Sequence, residues 1–166
     1  MRANAALRVL DPELLHVTLC FLGNRPVEEI DPLAAQLADC EGHAGELSLG
    51  APLWLPQRNP RALAIELHDE HGRLAELHAR VAACMHDFSR RQAGAADRTG
   101  ATAGAIRRRF HPHITVARLR SGTAPHQRTL PPTPAASFTP RELVLYRSWL
   151  SPRGASYEVV ASRTLV

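Results

Sequence analysis

LHVTL at residues 15–19 recurs 97 residues later as PHITV at residues 112–116. These segments hold the only two His-x-Thr triplets of the chain, each with an aliphatic central residue. Nine histidines and nine threonines would give about half such a triplet by chance, so a matched pair indicates a shared role. The separation is too long for a local motif. We therefore expect two similar lobes, each presenting one copy on a strand.

The spacing of the two triplets gives them a chemical meaning. Side chains at i and i+2 of a strand share a face, so His16 projects with Thr18 and His113 with Thr115. Two histidines that meet in one cleft can supply a general acid and a general base, because imidazole titrates near pH 6.5. Threonine hydroxyls can donate to the non-bridging oxygens of a phosphate. The set suits in-line attack of water on a phosphodiester without a metal.

Composition limits the class of protein. The chain has 166 residues, of which 45% are apolar and 22% charged, as in a soluble domain. No apolar run approaches the ~20 residues of a membrane span, and no secretory leader is evident. Three scattered cysteines form no CxxC pair. We expect reduced, mostly buried thiols in a cytoplasmic protein and exclude a disulfide scaffold or a zinc finger.

Charge is unevenly distributed along the chain. All 20 basic residues are Arg. Residues 11–46 carry eight acids and one Arg, whereas residues 98–141 carry eight Arg and no acid. The planar guanidinium matches two phosphate oxygens at once. The absence of Lys fits a genomic bias toward Arg codons, but the acid-free basic stretch favours a polyanionic partner such as RNA or a nucleotide.

Apolar periodicity and turn residues predict an α+β fold. The helix that starts at Leu74 shows an apolar stripe at 3.6-residue spacing. The expected elements are a strand at 15–22, a helix at 26–38, an edge strand at 47–55, a strand at 62–67, the helix from Leu74, a surface loop at 92–105, a strand at 110–119, an irregular connection at 123–140, and a hairpin of strands 142–150 and 157–165.

The histidines also admit a structural or a metal-binding interpretation. A single histidine on a half-apolar strand is more often structural than catalytic, and only the paired recurrence favours function. His111 and His113 have a spacing that metal sites also use, but no second cluster with metal-ligand spacing completes such a site. We therefore expect no metal and no cofactor. A Walker loop is excluded because the chain has no Lys, and no G-x-S-x-G elbow is present.

Three stretches resemble one known family, in this order along the chain: residues 16–23 (HVTLCFLG), 110–118 (FHPHITVAR) and 145–159 (LYRSWLSPRGASYEV). The pattern is similar to that of the two-histidine (2H) phosphoesterases, and within them the bacterial and archaeal RNA 2′,3′-cyclic phosphodiesterases, also described as 2′-5′ RNA ligases. The resemblance implies a bilobal α+β fold of two small antiparallel sheets with flanking helices and pseudo-two-fold symmetry. Residues 1–166 would form this one domain.

The resemblance also implies roles for the site residues. His16 would donate a proton to the leaving oxygen, His113 would activate water, and Thr18 and Thr115 would hold the phosphate. By strand alternation Arg118 faces the side of Ile114, so that it supports the site from behind or reaches its rim. Phe21 and Phe110 are candidates for base stacking, although buried packing suits at least one of them.

One departure from the family is expected. Members begin with an additional strand and helix before the first motif, and only fourteen residues precede Leu15 here. We therefore expect that N-terminal strand and helix to be missing, which would leave a sheet edge uncovered.

The sequence as a whole predicts a cytoplasmic, monomeric, metal-independent enzyme that opens RNA 2′,3′-cyclic phosphate ends to 2′-phosphomonoesters. Its partners would be RNA with a cyclic phosphate end or a small cyclic nucleotide, and no membrane. Three alternatives stay open: a phosphodiesterase for small cyclic nucleotides, an RNA 2′-5′ ligase, and an inactive RNA-binding protein.

Overall fold

The computed structural model describes residues 6–92, 110–125, 129–151 and 154–165. The chain divides into two compact units. Unit 1 comprises residues 1–18, 47–70 and 111–138, and unit 2 comprises residues 19–46, 71–110 and 139–166. Each unit contains one antiparallel sheet, and unit 2 also holds both α-helices. The expected α+β class is confirmed.

Unit 1 is built on a five-stranded antiparallel sheet. Its strands lie in the order β1-β4-β3-β2-β5. Strand β4 runs between β1 and β3, so its register is fixed from both sides. The strands are β1 (Leu7–Val9), β2 (Leu47–Leu55), β3 (Ala62–His68), β4 (His113–Leu119) and β5 (Ser137–Phe138).

One face of this sheet is the apolar core of unit 1. Paired residues of adjacent strands point to the same face, and alternation places Leu47, Leu67, Trp54 and Ala117 together there. All four are buried, and Leu47 has no exposed surface. Because side chains alternate along β3, Ala62 and Ala64 turn to the opposite face of the sheet.

A β-bulge interrupts the alternation of β4. Leu63 pairs with Ala117 while the next residue of β3, Ala64, pairs with Thr115, so Val116 is an extra residue on β4. A bulge of this kind re-aims the residues beyond it. Thr115 and Arg118 pair with Ala64 and Ala62, which share a face of β3, and they therefore share a face themselves.

Unit 2 combines a hairpin with two helices. The hairpin strands are β6 (Glu142–Ser151) and β7 (Gly154–Thr164), and the helices are α1 (Ile30–Ala38) and α2 (Arg73–Gln92). Helix α1 packs against both α2 and β7. The stripe predicted on α2 is confirmed, because its apolar residues at helical spacing are buried: Leu74, Leu77, Val81, Met85 and Phe88.

Several predicted elements are confirmed, some with shifted ends. The expected helix at 26–38 is a 3-10 turn at Val27–Glu29 followed by α1. The expected strands at 62–67 and 110–119 are β3 and β4, and the hairpin is β6 and β7. The predicted loop at 92–105 lies outside the described residues except for Gln92, which ends α2.

Three expectations about the strands are corrected. Residues 15–22 form no regular strand; only an isolated bridge at Val17 is present. The predicted edge strand at 47–55 is β2, which lies between β3 and β5 in the strand order. The paired residues of β2 and β5 are Leu47 and Ser48, so Pro52 lies beyond this pairing, where a residue without an N–H is tolerated. A strand, β1, does precede the first motif and pairs with β4, whereas residues 6–15 contain a 3-10 turn and no α-helix.

No helix in the described ranges is long and apolar enough to cross a lipid bilayer.

The three cysteines of unit 2 are free thiols, as expected. Cys40 is buried at the end of α1, where its thiol donates to the carbonyl of Gln36 at 3.4 Å. Burial raises the pKa of Cys40 from 9.0 to about 12, helped by a hydrogen bond with Cys84. Burial also raises the pKa of Cys20.

Alkylation should therefore report the burial of Cys40. At pH 8 we expect iodoacetamide to modify Cys40 in the native protein about a hundredfold or more slowly than in urea-unfolded protein, because the thiolate is the reactive form. Peptide mass spectrometry separates the three sites. Equal native and unfolded rates at Cys40 would contradict this arrangement.

Candidate active site

The two His-x-Thr segments meet in unit 1. Val17 and Ile114 form an antiparallel bridge, and both motifs belong to the same compact unit. The expectation that each lobe presents one copy is therefore wrong, because the first motif lies alongside β4 rather than on a separate sheet. A single backbone pairing joins two segments 97 residues apart.

This bridge sets the faces of both motifs. Val17 and Ile114 are a directly opposed pair and point to one face, so their neighbours point to the other. The same register brings His16 opposite Thr115 and Thr18 opposite His113. The motifs are thus related by a local two-fold axis through the bridge, in which each histidine lies beside the threonine of the other copy.

We call the face that carries the two histidines and the two threonines the motif face. All four residues are half-buried. His16 and His113 are diagonal neighbours across this bridge, and such neighbours in a regular antiparallel pair are about 7–8 Å apart. Imidazole rings that start this far apart can both reach a group the size of phosphate, with hydrogen bonds of about 2.8–3.0 Å to its oxygens.

Both imidazoles are held in the same way. The Nδ1 atom of His16 lies 2.8 Å from the carbonyl oxygen of Leu14, and that of His113 lies 2.8 Å from the carbonyl oxygen of His111. A carbonyl only accepts, so each Nδ1 carries hydrogen and donates. In the neutral ring the lone pair is then on Nε2. The hydrogen bond from Nδ1 to the carbonyl oxygen two residues earlier fixes the orientation of each ring.

Local sequence explains these two anchors. A 3-10 turn at Pro12–Leu14 precedes His16, and the Asp11 side chain caps it by accepting from the backbone N–H of Glu13 at 3.2 Å. The turn presents the Leu14 carbonyl to the ring. On the other motif, the carbonyl of Pro112 accepts from the N–H of Leu67 at 3.0 Å, which attaches the start of β4 to β3.

Arg118 lies on the motif face. The prediction that it faces the side of Ile114 is wrong, because the bulge at Val116 inverts the alternation. Arg8 of β1 pairs directly with Arg118, so two arginines lie side by side on the motif face. The side chain of Arg118 is half-buried and makes no hydrogen bond or ion pair within the described ranges.

Glu66 is a residue of the motif face that is not among the site residues expected from the sequence. It lies on β3 directly opposite His113, on the motif face. It is half-buried. Its signal in the sequence is a lone acid between the apolar residues Ile65 and Leu67, but nothing local shows which residue stands across the sheet.

Phe21 and Phe110 belong to unit 2. Phe21 is 81% exposed, so its ring is available for stacking. Phe110 is half-buried and stacks on His78, with ring centroids 4.0 Å apart and planes 6° apart. Burial lowers the pKa of His78, which favours the neutral ring. Packing thus occupies one face of Phe110, and base stacking by either ring stays a prediction.

The pair His111 and His113 finds no partners for a metal site. Over the described ranges, no group of three or more His, Cys, Asp or Glu side chains could hold a metal ion. The two histidines therefore have no third ligand there.

Comparison with known proteins identifies the family. A family model described as the 2′-5′ RNA ligase superfamily matches residues 8–149. The chain belongs to this superfamily. It is the two-histidine phosphoesterase group that the paired motifs resemble, so that expectation is confirmed.

Similar proteins include one curated relative and several solved structures. The RNA 2′,3′-cyclic phosphodiesterase of Geobacillus stearothermophilus is 33% identical over 159 residues, which is 91% of this chain and 45% of the relative. The chain thus spans about half the length of that protein. A crystal structure of a Thermus thermophilus protein matches with a TM-score of 0.76 at 25% identity, covering 99% of this chain and 85% of the other.

The E. coli LigT structure complexed with 3′-AMP matches with a TM-score of 0.66 at 23% identity, covering 96% of this chain and 82% of LigT. These structures share the fold described above.

The hydrogen bonds to the two carbonyls predict a specific tautomer. Above pH 8 we expect both His16 and His113 to be protonated on Nδ1 and not on Nε2, because each Nδ1 must donate. Long-range ¹H–¹⁵N correlation spectra distinguish the two tautomers, and His16→Ala and His113→Ala assign the signals. An Nε2–H form at either ring would contradict the geometry.

Proposed function

We propose that the protein hydrolyses the 2′,3′-cyclic phosphate at an RNA end to a 2′-phosphomonoester, with the two histidines as acid and base. The observation that carries this proposal is the Val17–Ile114 bridge, which brings both His-x-Thr motifs to one face of unit 1. The superfamily and the similarity to the Geobacillus RNA 2′,3′-cyclic phosphodiesterase support the same chemistry.

The histidines divide the proton transfers between them. Water attacks phosphorus in line with the bond to O3′, and the Nε2 of His113 takes a proton from it. The bond from phosphorus to O3′ breaks, and the protonated Nε2 of His16 gives O3′ its proton. The phosphate stays on O2′. Both Nδ1 atoms donate to backbone carbonyls, so both rings present Nε2 for these transfers without tautomer exchange.

The threonines and Arg118 stabilise the charge on phosphate. In the transition state negative charge grows on the non-bridging oxygens, where Thr18 and Thr115 can donate from opposite sides. Arg118 adds a guanidinium to the same face of unit 1, and a planar fork can contact two oxygens at once. Such a set needs no metal.

We infer the substrate class from the charge of the chain and from its similarity to the Geobacillus protein. A net charge of +4 and the acid-free stretch of Arg from residue 98 to 141 favour a polyanion over a small neutral ligand. The Geobacillus relative is an RNA 2′,3′-cyclic phosphodiesterase. We infer RNA as the substrate and assign a site of action in the cytoplasm.

Removal of either imidazole should abolish most turnover. We expect His16→Ala and His113→Ala to lower kcat on a cyclic-phosphate RNA about 10²–10⁴-fold, because each removes a proton-transfer group. Chromatography of the products follows the rate and shows which hydroxyl keeps the phosphate. EDTA should leave the rate unchanged.

The matched control is His43→Ala, which removes an exposed histidine of unit 2 and should retain wild-type turnover. Near-normal rates in both motif variants would reject the mechanism. RNA binding without turnover by the wild-type protein would instead favour an RNA-binding protein.

Arg118 should act on the phosphate. We expect Arg118→Met to lower kcat/KM about tenfold or more, because charge-assisted hydrogen bonds to the phosphate are lost. The control is Arg58→Met, which removes the same charge from an exposed turn of unit 1. Equal effects of the two variants on kcat/KM would mean that Arg118 contributes only to net charge.

A further inference from the structure

Glu66 stands where an acid is unexpected. It is directly opposite His113 and shares the motif face with Arg118. Among the paired residues of β1, β3 and β4 on that face it is the one acid. A carboxylate repels a bound phosphate, because both groups carry negative charge. A carboxylate at this position therefore needs a group that donates a hydrogen bond to it.

The register places Glu66 directly beside His113 on the neighbouring strand. The N–H of Leu67 donates to the carbonyl of Pro112 at 3.0 Å, so the pair 67/112 is hydrogen-bonded and the next pair, Glu66 with His113, is not. Non-hydrogen-bonded pairs have the closer side chains, with Cα atoms about 4.5 Å apart. Glu66 makes no side-chain hydrogen bond or ion pair with any residue that the structure describes.

We propose that Glu66 determines which nucleophile reacts, by accepting the second hydrogen of the attacking water. This inference rests on the proposed function, in which His113 takes the first hydrogen. Water has two hydrogens, one for each acceptor, whereas the 5′-hydroxyl of a second RNA has only one. An alcohol would set carbon against the carboxylate and leave it without a donor, which disfavours that nucleophile.

The atoms balance for either nucleophile. Water forms a new P–O bond, the bond to O3′ breaks, one proton goes to His113, His16 protonates O3′, and the second hydrogen stays on the new phosphate oxygen. An alcohol follows the same path but yields a 2′ phosphodiester, and with a 5′-hydroxyl RNA this is a 2′-5′ ligation. Glu66 therefore directs this chain toward hydrolysis, although both reactions need the same histidines and threonines.

The test is a partition experiment. Adenosine 2′,3′-cyclic phosphate and a short cyclic-phosphate RNA are incubated with each protein in buffer with graded methanol, or with a 5′-hydroxyl oligonucleotide. The ratio of 2′-phosphodiester to 2′-monophosphate is read by chromatography. We expect Glu66→Ala to raise this ratio about tenfold and Glu66→Gln to raise it less, because the amide oxygen still accepts.

The control Glu70→Gln removes an exposed acid just beyond β3 and should leave the ratio unchanged. A ratio unchanged in both Glu66 variants, with the wild-type protein active, would overturn the role of Glu66 while the proposed function stands. A wild-type protein inert on both cyclic substrates would overturn the two together. Thermal melting of Glu66→Gln, the isosteric variant, shows that any effect on the ratio comes from a folded protein.

Discussion

The site depends on one short antiparallel contact, the bridge between Val17 and Ile114. The side chains of the histidines and threonines that flank the bridge lie on the motif face because Val17 and Ile114 point to the opposite face. A shift of one residue in this pairing would turn all four motif side chains to the wrong face. Closing the long chain segment between the motifs adds little cost, since loop entropy grows only with the logarithm of length. Strand β4 is already held by β1 and β3, so only the first motif has to dock.

A second constraint is the extra residue on β4. Strict alternation from His113 would turn Arg118 toward the apolar core, where an unpaired guanidinium is costly. The bulge at Val116 avoids this cost and adds the cation to the motif face. The extra residue Val116 thus keeps Arg118 out of the apolar core and places its guanidinium where it can contact phosphate.

Local patterns in the sequence predicted what depends on local structure. The apolar stripe of α2 and the hairpin β6–β7 both follow from spacing within a few residues. What could not be predicted depends on pairing between distant strands. Neither the bulge that re-aims Arg118 nor the position of Glu66 across from His113 has a local signal. The composition of residues 15–22 predicts a strand, but the strand pairing that the structure describes there is a single bridge at Val17.

The local two-fold axis poses a chemical problem that the neighbouring strand resolves. The two histidines make the same ring contact, from Nδ1 to the carbonyl oxygen two residues earlier, yet an acid and a base must differ. The difference comes from outside the motifs. Strand β3 runs beside His113 and places Glu66 directly opposite it, whereas the strand pairing described for the first motif is the single bridge at Val17. Under the proposed mechanism, the acceptor for water therefore lies on the side of His113, and the leaving oxygen is left to His16.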